Sequence, residues 1–185
     1  MCMEIYLIRH TKPLVEKGIC YGQSDIDVRN TFDIEAEKLI QWLPQELDIL
    51  YSSPLLRCIK LSEKIQESFI NKPKIIHDKR LIEMNFGDWE LKKWDELDRK
   101  LSEQWIENIL VQPTPNGESF YDLNLRVTHF INDILNKKIK KAGVVTHAGV
   151  IRCFISRFKN ISLIETLKLT IDFASLTILR SDSVK

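Results

Sequence analysis

The sequence predicts an α/β protein, a three-layer α/β/α sandwich around a mostly parallel sheet, and three observations carry that reading. Short apolar runs alternate with longer stretches whose apolar residues recur at helical spacing, the pattern of repeated strand–helix units. Two runs end abruptly in polar groups, Ile8-Arg9-His10 and Thr146-His147, as strands do when they deliver side chains to the carboxyl edge of a parallel sheet. The 185 residues suffice for one substantial core, so a single domain over 1–185 is expected.

Taken in order, Met3 to Ile8 is a strand with one charge among apolar residues, which suits a central position. Arg9 to Asn30 has no clean periodicity and contains Gly18 and Gly22. It reads as a long loop of the kind that carries function. Thr31 to Leu43 follows helical spacing, capped by Asn30 or Thr31 and closed by Pro44. Asp48 to Tyr51 is a second strand, and Ser52-Ser53-Pro54 predicts a serine cap with proline in the first helical turn. The following helix reaches about Phe69, with Leu55, Leu56, Ile59 and Ile65 inward and Arg57 in its first turn.

Lys74 to His77 makes a short strand. Leu81 to Glu90 is irregular around Gly87, and Leu91–Leu97 and Leu101–Leu110 are short helices anchored by Trp94 and Trp105. Pro113 to Gly117 breaks them. The stretch 81–117 therefore reads as an inserted lid or wall. Ser119 to Asn136 is a helix built on Phe120, Leu123, Val127, Phe130, Ile131 and Ile134, ending in a basic tract that suits a helix C-terminus. Gly143 to Thr146 is a strand ending at His147, Val150 to Phe158 a helix, and Leu167–Ile171 and Leu176–Leu179 two closing strands.

Composition removes several functional classes. The 27 Lys and Arg balance 26 Asp and Glu, so the net charge of +1 offers no general attraction to nucleic acid or to a membrane surface. Apolar runs are too short to span a bilayer, and no apolar signal segment opens the chain. Cys2, Cys20, Cys58 and Cys153 lack Cys-x-x-Cys spacing and read as reduced thiols of a cytoplasmic protein. Cys20, in a loop, is expected to be exposed, but no glycine-rich Cys-x5-Arg cradle surrounds it. Metal-binding carboxylate clusters are absent from the pattern, and no metal or other cofactor is expected.

The parallel topology brings His10, Arg57 and His147 to one edge. Two arginines, a histidine and the N–H groups of a following helix make a receptor for a tetrahedral dianion such as phosphate. Neutral imidazole can attack phosphorus, which Arg cannot, so His10 is the candidate nucleophile, its other ring nitrogen held by a backbone carbonyl. Arg9, Arg57 and His147 then neutralise charge on the phosphoryl oxygens. Glu83 is the candidate acid for the leaving alkoxide and base for the attacking water. Arg126 and His129, without a motif, read as helix-surface groups, and Arg152 as a residue that serves the structure or supports the site from behind.

Four segments in this order, Leu7-Ile8-Arg9-His10, Ser52-Ser53-Pro54-Leu55-Leu56-Arg57, Leu81 to Glu90 and Thr146-His147-Ala148-Gly149-Val150-Ile151-Arg152, resemble the motifs of the histidine phosphatase superfamily. The resemblance spans nearly the whole chain and implies a phosphoglycerate mutase-like fold. It also implies His10 as phosphate acceptor, Arg9, Arg57 and His147 as phosphate pocket, and Glu83 as proton donor. Gly18 to Asp25, Met84 to Glu90 and Pro115 to Phe120 are similar to the α-ribazole phosphatase subgroup, which removes the 5′-phosphate of α-ribazole 5′-phosphate in cobalamin nucleotide-loop assembly.

That similarity implies a substrate side formed by Thr11, Tyr21, Gly22, Gln23 and Ala148 together with the phosphate pocket. Thr11 departs from the glycine usual after Arg-His. The Trp-Asn pair of mutases is missing, which favours a phosphatase. The alternatives are a broad sugar-phosphate or nucleotide phosphatase, a mutase, or a non-catalytic phosphate-binding module. A small phosphate monoester is the expected partner, and the sequence is compatible with a monomer or a homodimer.

Overall fold

A computed structural model describes residues 2–183, so the outermost positions of the expected 1–185 domain, 1, 184 and 185, lie outside the described residues. The five strands are β1 (Glu4–Arg9), β2 (Ile49–Ser52), β3 (Ile75–His77), β4 (Lys141–Thr146) and β5 (Leu176–Arg180), in the sheet order β3-β2-β4-β1-β5. All neighbours run parallel except β5, which closes the sheet antiparallel to β1. The register sets Arg9 opposite Thr146 and Ser52 opposite Val145, so three chain segments leave the sheet at one edge, side by side.

Helices cover both faces. α1 (Phe32–Ile40) and α2 (Leu56–Ser68) lie on one, α4 (Phe120–Leu135) and α5 (Ala148–Lys159) on the other. Successive strand residues feed opposite layers: Ile5, Leu7 and Val144 join the α4–α5 core, while Tyr6, Ile8 and Val145 join the α1–α2 core. A period of two with both faces buried is why these strands are continuous apolar runs. α4 starts with a capping box, Ser119 and Asp122 each satisfying the other's backbone N–H.

Four expectations need correction. α2 begins at Leu56, later than Ser52-Ser53-Pro54 suggested, because Asp25 of the long loop accepts the Leu56 N–H at 2.7 Å and does the capping, which frees Ser53 for another partner. Its inward face is consequently Arg57, Cys58, Leu61, Ser62 and Ile65, with Leu56 and Ile59 half-buried. Residues 91–97 hold only a 3₁₀ turn (Trp94–Glu96), whereas α3 (Arg99–Glu107) forms as expected. Leu167–Ile171 is not a strand: α6 (Leu163–Thr166), with its own Ser162–Glu165 capping box, precedes it, and the carbonyls of Thr166, Leu169 and Ile171 accept arginine side chains in place of a strand partner.

α1 also stops at Ile40, short of Leu43, since Pro44 disfavours helical geometry in the residue before it. Of the two expected tryptophan anchors, Trp105 is buried in a cluster with Phe86 and Trp89, while Trp94 packs on the same cluster but stays 40% exposed; Trp42 is 76% exposed.

Candidate active site

β1 ends at Arg9, and the chain turns so that His10 is buried at the sheet edge. The Thr11 carbonyl lies 2.7 Å from His10 Nδ1 and accepts a hydrogen bond from its N–H, leaving Nε2 as the ring nitrogen with a free lone pair. Burial, then the charges of Arg57 and Arg9, hold His10 well below the ordinary imidazole range, so the ring is neutral at physiological pH. Thr11 itself lies outside the left-handed region, so the position does not demand glycine.

His147, at the end of β4, stands edge-on to His10 with ring centroids 5.0 Å apart. Its Nε2 is 2.9 Å from the Ser53 hydroxyl, and that oxygen also accepts the Leu55 N–H at 3.4 Å. We assign the Ser53 O–H as the donor to Nε2, the arrangement that puts the proton of neutral His147 on the otherwise unpartnered Nδ1. Burial first, then Arg57, His10 and Arg9, depress His147 as they do His10.

The two arginines are clamped from behind. Fully buried Arg57 donates to the carbonyls of Gly22 (2.7 Å) and Ser24 (2.8 Å), and Arg9 donates to the Ile171 carbonyl and stacks its guanidinium 3.8 Å from the centre of the Phe173 ring. Gly22 can do this only without a side chain: φ is +29°, and a Cβ there would come within 2.4 Å of Glu90 and 2.6 Å of the Met84 carbonyl. Glu90 knits the same loop together, accepting the N–H groups of Gln23, Ser24 and Phe86 and the Ser24 hydroxyl.

Glu83 reaches the start of α5, where its Oε2 accepts the Gly149 N–H at 3.1 Å. A Cβ on Gly149 would meet Glu83 Oε1 at 2.2 Å, so glycine is what lets the carboxylate sit two residues from His147. Arg126 on α4 holds the segment from behind, donating to the carbonyls of Arg80, Ile82 and Glu83 and pairing with Glu118, which in turn accepts the Asn85 N–H.

Five buried side-chain polar atoms have no hydrogen-bond partner among the described residues, and four belong to this edge: Arg9 Nε, Thr11 Oγ1, Arg57 Nε and His147 Nδ1. Each orphaned group costs roughly 1–3 kcal/mol of desolvation, and their concentration at one spot suits ordered water or a ligand that accepts hydrogen bonds. The Ala148 N–H, at the first turn of α5, also finds no acceptor among the described residues. Donors without acceptors around a neutral imidazole suit an anion with several oxygens.

Arg9, His10, Thr11, Arg57, Glu83, His147 and Ala148 thus meet at one edge. Tyr21 lies beside Arg57, its ring centre 5.3 Å from the guanidinium. Gly22 and Gln23 stand one layer back: the Gly22 carbonyl is engaged by Arg57, and the Gln23 amide donates to the Glu83 carbonyl at 2.9 Å. Cys20 is 2% exposed, contrary to expectation, and burial beside Glu90 pushes its thiol up to about 12, which removes it as a nucleophile.

Arg126, read from sequence as a surface group, is half-buried and bound on five acceptors. Its signal was faint, a lone arginine eight residues after Glu118. Ser53, which has the chemistry of a helix cap, pairs with His147 instead. Phe173 carried no signal at all, since only the fold brings it to His10, at a centroid distance of 5.5 Å.

Two outcomes follow from this geometry. Arg126→Lys cannot reproduce a fork on five acceptors. It is expected to lower stability by about 2–4 kcal/mol. It should also slow first-step alcohol release from esters with poor leaving groups several-fold more than the nitrophenol burst from p-nitrophenyl phosphate, because Glu83 loses its placement; equal losses on both would leave Arg126 a purely structural residue. Second, both depressed histidines refuse protons that the unfolded chain binds below about pH 6.5. Stability should therefore fall as pH drops below that value, and denaturant titrations at pH 7.5 and 5.5 should show a smaller fall in His147→Gln than in the wild type.

The model of the histidine phosphatase superfamily (branch 1) matches residues 5–185. In sequence, the chain is 28% identical over 98% of its length to the Hydrogenobacter thermophilus protein named "Putative phosphoserine phosphatase 2", covering 91% of it. It is 25% identical over 97% of its length to "Phosphoserine phosphatase 1" of the same organism, covering 87% of that protein. In structure, the α-ribazole phosphatase of Shigella flexneri superposes with a TM-score of 0.87 at 22% identity, over 95% of this chain and 89% of the other, a likeness of fold.

Proposed function

The chain belongs to the histidine phosphatase superfamily and is a phosphatase, and from that premise we propose that it hydrolyses a small phosphate monoester through a phosphohistidine on His10, with α-ribazole 5′-phosphate as its substrate. The observation that carries the mechanism is the ring of unpartnered donors, Arg9, Thr11, Arg57 and His147, around a neutral imidazole whose proton is held away on Nδ1.

The phosphoryl group sits among those donors. His10 Nε2 attacks phosphorus as the ester P–O bond breaks, and Glu83 gives its proton to the departing alkoxide. Arg9, Arg57 and His147 hold the equatorial oxygens while charge redistributes. The alcohol leaves, water enters, and Glu83 removes its proton as the oxygen attacks phosphorus and the P–N bond breaks. Inorganic phosphate and neutral His10 are regenerated. Residues 81–117 act as a wall that carries Glu83, with the aromatic cluster of Phe86, Trp89, Trp94 and Trp105 stiffening its outer part.

The substrate assignment is supported by the three segments that are similar to α-ribazole phosphatases, because they interlock around the acid. Glu90 binds Gln23 and Ser24, the Asp88 N–H donates to Pro115, and the Glu118 N–H donates to Asn85. The names of the curated relatives make phosphoserine the rival ester. Phosphate release from α-ribazole 5′-phosphate, phosphoserine, 3-phosphoglycerate, a sugar phosphate and a nucleotide, each with EDTA present, separates the readings. The expected result is a kcat/KM at least tenfold higher for α-ribazole 5′-phosphate and no loss with EDTA; a preference for phosphoserine would overturn the substrate assignment.

A further inference from the structure

We infer that a cleft beside the phosphate pocket, lined by Pro13, Val15, Ile19, Tyr21 and Phe173, receives the alcohol half of the ester and selects a bulky alcohol bearing a planar ring over a small polar one; this rests on the phosphatase reading. The cleft measures about 360 Å³. That is within the ~300–1,000 Å³ range of small-molecule sites and far more room than a three-carbon amino-acid alcohol fills.

Two of its walls are shared with the phosphate site. Phe173 packs on Arg9 and lies near His10, and Tyr21 lies over Arg57. Tyr21 also feels the charges of Arg9, Arg57 and Glu83 together, so it stands where phosphate pocket, acid and cleft meet. An ester held by both arginines therefore has its alcohol next to the two rings.

The chemistry of the walls decides the class. Proline, valine, isoleucine and two aromatic rings offer apolar area and π faces, and gain most from a flat ring with little charge. Recognition of a seryl group requires fixed partners for a carboxylate and an ammonium. The charged residues that also line the cleft do not supply them in fixed positions. Arg29 is held on the carbonyls of Pro13 and Val15, and Lys12, Glu16 and Lys17 are exposed. An exposed lysine adds little to binding. The long loop is rigid enough to shape such a cleft: an isolated bridge joins Pro13 to Val28, Asp27 pairs with Lys60, and Asp25 caps α2.

The test reads binding without turnover, so it is independent of whether phosphate is released. α-Ribazole, lacking phosphate, and L-serine are each titrated calorimetrically into the wild-type protein and into Val15→Trp, whose indole fills the cleft. α-Ribazole is expected to bind the wild type at least tenfold tighter than serine and to lose at least tenfold in the variant. Equal affinity for the two alcohols, or unchanged α-ribazole binding in a folded Val15→Trp, would overturn the cleft assignment. Should Val15→Trp not fold, the wild-type comparison alone decides. Absence of phosphate release from every ester, with α-ribazole still bound, would instead reject the phosphatase reading and keep the cleft.

Discussion

Replacing His10 with alanine is expected to lower kcat by roughly 10⁴-fold or more, the scale on which removal of a covalent nucleophile acts when the rest of the site is intact. The expectation follows from how completely the structure prepares this ring. Its Nδ1–H donates to the Thr11 carbonyl, burial and two guanidiniums keep the ring neutral with Nε2 unprotonated, and the adjacent donors are without partners. None of the neighbours can substitute. The Cys58 thiol, 3.6 Å from His147 Nε2, is pushed by burial up to about 12, and His147 Nε2 is occupied by Ser53. Steady-state phosphate release checks this, with thermal unfolding as control. His10→Ala turning over within tenfold of the wild type would remove the covalent mechanism.

The second large effect is expected from Glu83→Gln. The amide preserves size and can keep the Gly149 N–H bond through its oxygen, but it has no proton to give. With an alkyl ester, whose alkoxide needs protonation as it leaves, kcat should fall about 10²–10⁴-fold. With p-nitrophenyl phosphate the first step should be nearly unaffected, leaving a burst of nitrophenol followed by slow turnover as water attacks unaided. The split between esters in the first step is the informative quantity, because a structural defect would slow alcohol release from both alike.

How much of this was legible beforehand differs between the skeleton of the site and its supports. Arg9-His10 and His147 could be read because each ends an apolar run, and in a parallel sheet such ends share one edge. Arg57 followed from its closeness to the end of β2. Glu83 needed the motif around it, since an acid in an irregular loop has no periodicity to locate it. The supports were hidden because they depend on contacts distant in sequence: Asp25 capping a helix that starts 31 residues later, Arg126 reaching back 43 residues to Glu83, and Phe173 folding over His10.

Three of the misassignments share one cause, a local signal overruled by a distant partner. Ser52-Ser53-Pro54 has the chemistry of a helix start, yet Asp25 supplies the cap and Ser53 turns to His147. Leu167 to Ile171 alternates like a strand, yet its carbonyls take Arg152 and Arg9 as donors, and β5 already occupies the position beside β1. Cys20 lies in a loop, but that loop folds against the aromatic cluster and buries it.

The central claim, a phosphoryl group carried on His10, is tested most directly by mixing the protein with ³²P-labelled ester, quenching in alkali within one turnover, and mapping the label by peptide digestion. The account predicts base-stable, acid-labile label on the peptide containing His10, formed no more slowly than phosphate is released. Phosphate release with no label on the protein, or label on a residue other than His10, would contradict it.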